Sequence, residues 1–176
     1  MSAVNDNKPV IVYSLYDGSG LMVKDWAEAG CMCYCFNADD ADHSEYGHYR
    51  VQHPNIQYKN LWIDTDFMDK VQSLGTPEPD IIFGFAPCTD MAVSGAAHFK
   101  RKLVQDPLCQ IKAVQAAKLV AYLGDMYDVP WMLENPVSIL STKWRKPDDT
   151  FHPYEFYNYL KKYWGTKASP ISRVYS

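Results

Sequence analysis

The stretch VIVYSLYDGSG, residues 10–20, is a short apolar run followed by a turn that contains two glycines. An apolar run of this length that ends in turn residues is typical of a buried β-strand. Residues 21–29 then have the pattern of a helix, and Gly30 stands where helices commonly end. A strand, a glycine turn and a helix in this order are typical of the first unit of a parallel α/β sheet.

The same alternation of strands and helices continues along the chain. Further strands are predicted at residues 31–36, 56–63, 80–85 and 129–133, with helices at 65–74 and from Asp106 onward. Asp106 followed by Pro107 is a strong helix start. Apolar residues recur along this last helix at helical spacing, which predicts one apolar stripe: Leu108, Ile111, Leu119, Tyr122 and Met126. The sequence therefore predicts an α/β fold with a doubly wound, mostly parallel, Rossmann-like sheet.

Composition indicates one globular domain. The chain has 176 residues, of which 47% are hydrophobic and 22% charged, the proportions of an ordinary globular protein. No apolar run approaches the length needed to span a bilayer, and MSAVNDNKPV does not have the pattern of a signal peptide. We expect a cytoplasmic protein with a single domain over residues 1–176. Residues 1–136 form its motif-bearing core, and 137–176 are an irregular aromatic and basic tail.

The cysteines predict reduced thiols and not a disulfide framework, because there are five of them in a chain of this length. Cys31, Cys33 and Cys35 alternate along the second strand, so we expect small buried side chains on one of its faces. Three histidines lie between residues 43 and 53, but without the paired spacing that zinc sites use. No metal site is predicted.

Charge is divided unequally along the chain. The net formal charge of −4 is made of −9 in residues 1–90 and +5 in residues 91–176. An anionic ligand that approaches the second half would explain this division, although ordinary surface solvation also would. Six basic residues flank the candidate catalytic loops in sequence and are predicted to contact substrate phosphate: Lys100, Arg101, Lys102, Lys143, Arg145 and Lys146.

Three short motifs follow predicted strands, at the sheet edge where ligands of such folds bind. The first is Asp17-Gly18-Ser19-Gly20 after the first strand, where glycines allow a ligand to approach the backbone closely. The second is Phe85-Ala86-Pro87-Cys88, in which a thiolate could act as a nucleophile. The third is Glu134-Asn135, a carboxylate and an amide that end the fifth strand. A structural reading of each motif alone stays open, and their order makes the combination specific.

This order resembles the cytosine-5 DNA methyltransferase family, over residues 10–136. The resemblance implies a fold of the S-adenosylmethionine-dependent methyltransferase type, with S-adenosylmethionine as the cofactor. It matches Pro87-Cys88 to the nucleophile dipeptide and Glu134-Asn135 to the cytosine-binding pair, so these four residues are the expected catalytic group. The expected cofactor residues are Asp17, Gly18, Ser19 and Gly20, Asn37 or Asp39 at the ribose, Asp64 at the adenine, and Phe85.

The family resemblance also implies a mechanism. Thiolate attack by Cys88 on cytosine C6 would make C5 nucleophilic, and Glu134 would stabilise the adduct at N3 and the 4-amino group. In duplex DNA the target base would first be flipped out of the stack. The expected substrate is cytosine in DNA or a cytosine nucleotide, in a bacterial or phage-infected cell.

The chain departs from the family after Asn135. Thr89 stands where the family usually has Gln, and only about forty residues remain for the family's arginine motif, target-recognition domain and last strands. Small phage-type relatives also lack a large recognition domain. An alternative is therefore a catalytically degenerate binding protein, for example a phage interaction or counter-defence factor. If the last strands are truncated, the edge of the fifth strand needs cover, either from the aromatic tail at 151–164 or from a partner chain, as in a homodimer.

Overall fold

The computed structural model describes residues 8–38, 50–151 and 172–176, and they form an α/β fold. Seven strands lie in one mostly parallel sheet, in the order β3-β2-β1-β4-β5-β7-β6. The first five strands follow the order of a Rossmann sheet, so the predicted fold class is confirmed. The strand bounds are β1 Ile11–Leu15, β2 Met32–Asn37, β3 Ile56–Asn60, β4 Ile81–Gly84, β5 Trp131–Pro136, β6 Asp149–Phe151 and β7 Ser172–Tyr175.

The predicted helices, except the long one that follows Asp106, are shorter in the structure than the sequence pattern predicted. The helix bounds are α1 Lys24–Glu28, α2 Phe67–Ser73, α3 Phe99–Gln105, α4 Cys109–Tyr127 and α5 Leu140–Lys143, with a 3-10 helix at Val93–His98. Residues 21–23 form turns before α1. The long helix α4 begins at Cys109, two residues after the predicted first position at Pro107. In the turn before it, the Asp106 carboxylate accepts a hydrogen bond of 2.9 Å from the Leu108 amide.

The buried face of α4 differs from the predicted stripe. Leu108, Ile111 and Tyr122 are each 53% exposed, and Met126 is 52% exposed. The helix instead buries small residues and short apolar ones: Cys109, Ala117, Val120, Ala121 and Leu123. Small side chains allow close approach of a helix to a sheet, so the face with the larger apolar residues is left in solvent.

The chain divides into two compact units. The first takes the described residues up to Phe83 together with Leu123–Trp131, and the second takes Gly84–Tyr122 with the described residues from Met132 on. The expectation of a single domain stays a prediction. None of the helices in the described ranges is long and apolar enough to cross a membrane.

The first unit is built on a buried parallel strand. All five residues of β1 are buried, and β1 pairs in parallel with β2, which pairs in parallel with β3. The Phe36 ring lies 4.8 Å from the Tyr13 ring and 5.0 Å from the Phe67 ring, both edge to face. These contacts bury α2 against the strands and hold the carboxyl ends of β1 and β2 side by side.

The second unit contains the two strands that the chain was expected to be too short to form. The strand β7 pairs antiparallel with both β5 and β6, and it sets Glu134 opposite Val174 and Asn135 opposite Arg173. Tyr175 is fully buried and its ring stacks on Trp144 at 5.5 Å. The edge of β5 is thus covered by residues 172–175, and truncation of these strands was the wrong expectation. The tail residues 152–164 lie outside the described part of the chain.

The fifth strand runs three residues further than predicted. It ends at Pro136, so Glu134 and Asn135 lie inside the strand and not after it. The reason is the pairing with β7, a partner that the local pattern of residues 129–133 does not indicate.

A glycine sets how closely α4 approaches the end of β4 in the second unit. A methyl group added at Gly84 would overlap the side chain of Val120, with Cγ1 at 2.8 Å. Both residues are buried, so the overlap cannot be relieved by moving into solvent.

We therefore expect Gly84→Ala to lower the free energy of unfolding by about 1–3 kcal/mol, the usual effect of overpacking a core. Urea unfolding would measure it. Gly95→Ala is the matched control, because a methyl group there would meet only the Thr89 carbonyl at 3.7 Å. Equal stability of the two variants would contradict the close packing.

Candidate functional site

The turn after β1 is organised by the carboxylate of Asp17. This side chain is buried, with 6% exposure, so it needs donors. Its Oδ1 accepts hydrogen bonds from the Ser19 amide at 3.0 Å, the Ser19 hydroxyl at 3.0 Å and the Gly20 amide at 2.7 Å. Its Oδ2 accepts from the Ser14 hydroxyl at 2.9 Å, with the Cys35 thiol at 3.9 Å. The carboxylate therefore fixes the turn from inside.

These bonds restrict what the turn can offer a ligand. The amides of Ser19 and Gly20 are already bonded to Asp17, and the Leu21 amide donates to the Ser19 hydroxyl at 3.2 Å. The sequence predicts that a ligand approaches the backbone closely at this stretch. The three backbone amides of Ser19, Gly20 and Leu21 are bonded within the turn itself. Asp17 and Ser19 therefore fix the backbone, and the glycines are the residues that let a ligand come close to it.

Residues that the sequence did not single out brace the turn from the side. The Arg50 guanidinium donates to the Gly18 carbonyl at 3.1 Å, and the Val51 amide donates to the Ser19 carbonyl at 2.9 Å. The Tyr58 hydroxyl lies 3.0 Å from the Ser19 carbonyl and 2.9 Å from the Val51 carbonyl, so its single proton serves one of them at a time. No local pattern marks these residues, because their role depends on contacts across 32 and 39 positions.

Gly20 is needed at its position for two reasons. Its φ of +71° lies in the left-handed region, and a side chain there would overlap the Tyr58 hydroxyl. Gly18 has no such backbone requirement, but a methyl group added to it would lie 3.1 Å from the Asn37 amide nitrogen. Gly18 and Asn37 thus face each other at the carboxyl ends of β1 and β2, where the sequence placed the cofactor.

A small cavity lies beside this turn. It has a volume of about 80 Å³, and its lining includes Asp17, Gly18, Asn37, Arg50 and Tyr58. The cavity is large enough to admit water molecules. Gly18 and Asn37, two of the predicted cofactor residues, both lie in the wall of this cavity.

The buried thiol of Cys35 takes part in this network. The sequence predicted only a small buried side chain at this position. Burial and the adjacent Asp17 carboxylate raise the pKa of Cys35 well above its usual value. The thiol therefore stays protonated and can donate to Asp17, which leaves it unsuited to act as a nucleophile.

Two of the other predicted cofactor residues have different surroundings. Asp64 is exposed and forms an ion pair with Lys70 at 2.7 Å, and the hydrogen bond from Lys70 lowers the pKa of this carboxyl. It also accepts from the Asp66 amide at 3.1 Å, at the start of α2. Phe85 is half-buried and belongs to the second unit. Asp39 lies outside the described residues.

The second unit holds the predicted nucleophile on a short loop between β4 and the 3-10 helix. Pro87 is exposed and Cys88 is half-buried. The Cys88 carbonyl accepts from the amides of Met91 at 3.0 Å and Ala92 at 2.8 Å, which closes a turn directly after the cysteine. The backbone around the thiol is therefore fixed.

Lys102 binds the other side of this loop. Its ammonium group donates to the Thr89 carbonyl at 2.6 Å and pairs with the Asp90 carboxylate at 2.8 Å. Lys102 was predicted to contact phosphate, but in the structure it already joins α3 to the loop. Arg145 is likewise engaged, with Asp148 and with the backbone oxygen of Ser176 at 3.1 Å. Four of the predicted phosphate contacts lie exposed: Lys100, Arg101, Lys143 and Lys146.

Asn135 connects the two motifs that were predicted to be catalytic. Its side chain is 1% exposed, and its amide nitrogen donates to the Ala86 carbonyl at 3.1 Å. Glu134 precedes it on β5 and is half-buried. Successive side chains of a strand point to opposite faces. Because the Asn135 side chain points toward the loop, the Glu134 side chain points to the other face of β5. The structure thereby brings the Pro87-Cys88 loop and the Glu134-Asn135 strand together.

The amide oxygen of Asn135 is buried, and it has no hydrogen-bond partner within the part of the chain that the structure describes. Among the described residues, the Asn135 side chain therefore has one hydrogen bond, the one to the Ala86 carbonyl. Because a carbonyl oxygen only accepts, this bond identifies the amide nitrogen as the atom that faces Ala86.

No protein-family model matches this chain, and no curated protein matches it. Among solved structures, it is similar to the crystal structure of an E. coli prophage protein that is provisionally described as a DNA modification methyltransferase. The TM-score is 0.45 and the identity 15%, over 81% of this chain. The match spans 40% of that chain, less than half of its length. A likeness of this size assigns neither a reaction nor a substrate to the protein.

We expect Asn135→Ala to loosen the Cys88 loop. The change leaves the Ala86 carbonyl without its donor, which should cost about 1–3 kcal/mol. Hydrogen exchange of residues 86–92 should quicken, and urea unfolding should show the reduced stability. Gln72→Ala, at an exposed amide in α2, is the control. Unchanged exchange in Asn135→Ala would show that the amide does not hold the loop.

Proposed function

We propose that this protein transfers a methyl group from S-adenosylmethionine to C5 of cytosine in DNA, through a covalent adduct with Cys88. The observation that carries the proposal is the hydrogen bond from Asn135 to the Ala86 carbonyl. It joins the cysteine loop to the strand that bears Glu134, so the residues needed to activate a cytosine ring belong to one compact unit.

The residues of the first unit fit a bound cofactor at one place. Gly18 leaves the backbone open beside Asn37, and the Asn37 amide could bond the hydroxyls of a ribose. Asp17, Arg50 and Tyr58 keep that backbone in position. When bound, S-adenosylmethionine would supply an electrophilic methyl group.

Cys88 and Glu134 would act on the base. The Cys88 thiolate adds to C6, which forms an S–C6 bond and makes C5 nucleophilic. Glu134 bonds N3 and the 4-amino group and so stabilises the charge that develops on the ring. Transfer of the methyl group to C5 would leave S-adenosylhomocysteine as the other product. A base would then remove the C5 proton, its electron pair would re-form the C5–C6 double bond, and the S–C6 bond would break, which returns the thiolate. For duplex DNA, the base would have to leave the stack first.

The alternative is a methyltransferase-like binding protein without turnover. It is favoured by the internal use of the Ser19 and Gly20 amides, because a turn that satisfies its own donors can be stable without a ligand. Transfer of a labelled methyl group from S-adenosylmethionine to cytosine-containing DNA distinguishes the two, since the binding protein transfers none.

Gly18→Val should weaken S-adenosylmethionine binding by about tenfold or more, equivalent to about 1.4 kcal/mol. The added side chain would displace Asn37 and fill the space beside it. Calorimetry gives the affinity, and Gly95→Ala is the control. Gly20 is a poorer test site, because its substitution also strains the turn. Equal affinity of Gly18→Val and the unaltered protein would remove the cofactor assignment.

Cys88→Ser and Glu134→Gln should each lower turnover by about 10²–10³ or more, with cofactor affinity retained. DNA that carries 5-fluorocytosine should trap the unaltered protein as a covalent complex on a denaturing gel, and Cys88→Ser should form none. Cys31→Ser and Glu28→Gln are the matched controls, at half-exposed and exposed positions of the first unit. Normal activity in Cys88→Ser would exclude the covalent mechanism.

DNA binding should depend on the exposed basic residues of the second half. Neutralising Lys100, Arg101 and Lys146 should weaken binding at low salt. The negative slope of log K against log salt should become shallower by about 1 for each side chain that pairs with a phosphate. Lys112→Gln is the control, because its ammonium group already pairs with Asp106 at 2.7 Å. An affinity that does not change with salt would contradict phosphate binding by these residues.

A further inference from the structure

Exposed apolar side chains are concentrated in the second unit. Of the ten large hydrophobic residues that are exposed in the described ranges, five fall between residues 93 and 111: Val93, Leu103, Val104, Leu108 and Ile111. Val104 is 85% exposed. Single exposed apolar residues are ordinary on a protein surface, but a cluster indicates an interaction surface.

Two of these residues, Leu103 and Ile111, line a groove of about 470 Å³. Leu103 of α3, Ile111 and Val114 of α4, Ile139 and the ring of Pro107 line it. Along α4 the lining positions are 110, 111, 114, 115 and 118, which form one face of the helix at intervals of three and four. This face is about 12 Å long at 1.5 Å per residue, or about two helical turns.

The charge of the groove indicates which kind of partner it binds. Two exposed ammonium groups, those of Lys118 and Lys143, stand among the lining residues, and none of the lining residues in the described ranges carries a carboxylate. Two copies of the chain that met groove to groove would place these lysines against lysines, which disfavours a symmetric dimer here. Duplex DNA could meet the lysines but would leave the apolar side chains of Leu103 and Ile111 uncovered.

We propose that this groove binds an amphipathic helical segment of another protein, with apolar residues on one face and Asp or Glu beside them. A helix that inserts residues at i, i+3 or i+4 and i+7 needs about two turns of groove, which α4 provides. Carboxylates that flank these residues would pair with Lys118 and Lys143 at the edge, where they discriminate between partners.

The groove also adjoins the elements that hold the Cys88 loop. Lys102 of α3 bonds the Thr89 carbonyl at 2.6 Å, and the Ile139 amide bonds the Met91 carbonyl at 3.0 Å. Two of the groove's walls are therefore hydrogen-bonded to the loop on either side of Asp90. A docked helix would press on both walls, and the reactivity of the Cys88 thiol should report its presence.

The test uses a synthetic helical peptide of about four turns, with Leu at i, i+3, i+4 and i+7 and Glu at the flanking positions. A second peptide has Lys in place of Glu. Fluorescence anisotropy with the full chain should show at least about tenfold tighter binding of the Glu peptide, a difference of about 1.4 kcal/mol. Saturation with the Glu peptide should change the rate at which iodoacetamide alkylates Cys88, measured by mass spectrometry.

Two kinds of variant locate the site. Ile111→Asp should weaken binding of the Glu peptide about tenfold or more, and Leu74→Asp, at a residue 52% exposed in the first unit, should not. The double change Lys118→Glu with Lys143→Glu should reverse the preference between the peptides. Both lysines are exposed, so this variant stays informative if thermal unfolding shows that Ile111→Asp does not fold.

Three results would overturn the proposal. One is equal affinity for both peptides in all variants. Another is self-association in sedimentation that Ile111→Asp abolishes, which would assign the groove to a second copy of the chain. The third is displacement of the Glu peptide by duplex DNA without any effect of Ile111→Asp on DNA binding, which would make the surface a nucleic-acid site. An unchanged alkylation rate would refute the connection to the Cys88 loop.

Discussion

The buried carboxylate of Asp17 is the constraint on which the first unit depends. A carboxylate at the end of a fully buried strand is stable only if donors surround it. Ser14, Ser19 and Gly20 supply those donors, and the geometry that this requires is the turn itself. Arg50 then adds a bond to the Gly18 carbonyl from outside. The turn is thereby held in one geometry, and Gly18 and Asn37 both line the cavity beside it.

In the second unit, the equivalent constraint is the backbone around Cys88. A reactive side chain on a loop is useful only if its surroundings hold the loop in position. Here α3 contributes Lys102, β5 contributes Asn135, and the amides that follow Cys88 close the turn. Each bond comes from a different element, so removal of one would leave the loop partly held. The same arrangement makes the loop sensitive to whatever binds α3 from the groove.

The errors of sequence reasoning follow from packing. The larger apolar residues of α4 were expected to form its buried stripe, because hydrophobic periodicity usually marks the core face. In the structure α4 packs closely at Gly84 through Val120, and Ile111 and Tyr122 remain exposed. The apolar residues that matched a core pattern in the sequence of α4 therefore lie on its surface. The strand at residues 172–175 was missed for a related reason, since four residues with one β-branched side chain give no strand signal until β5 pairs with them.

The sequence by itself determined the fold class, the boundaries of most strands to within a few residues, the start of α4 to within two residues and the order of the three motifs. Each of these depends on residues that lie near one another in the chain, where hydrophobic pattern and turn chemistry act directly. The tertiary structure decided the rest. The Asn135 amide reaches Ala86 across 49 positions, and Arg50 reaches Gly18 across 32. Such contacts form only after the strands have paired, and they determine which groups face a ligand and which hold the backbone in place.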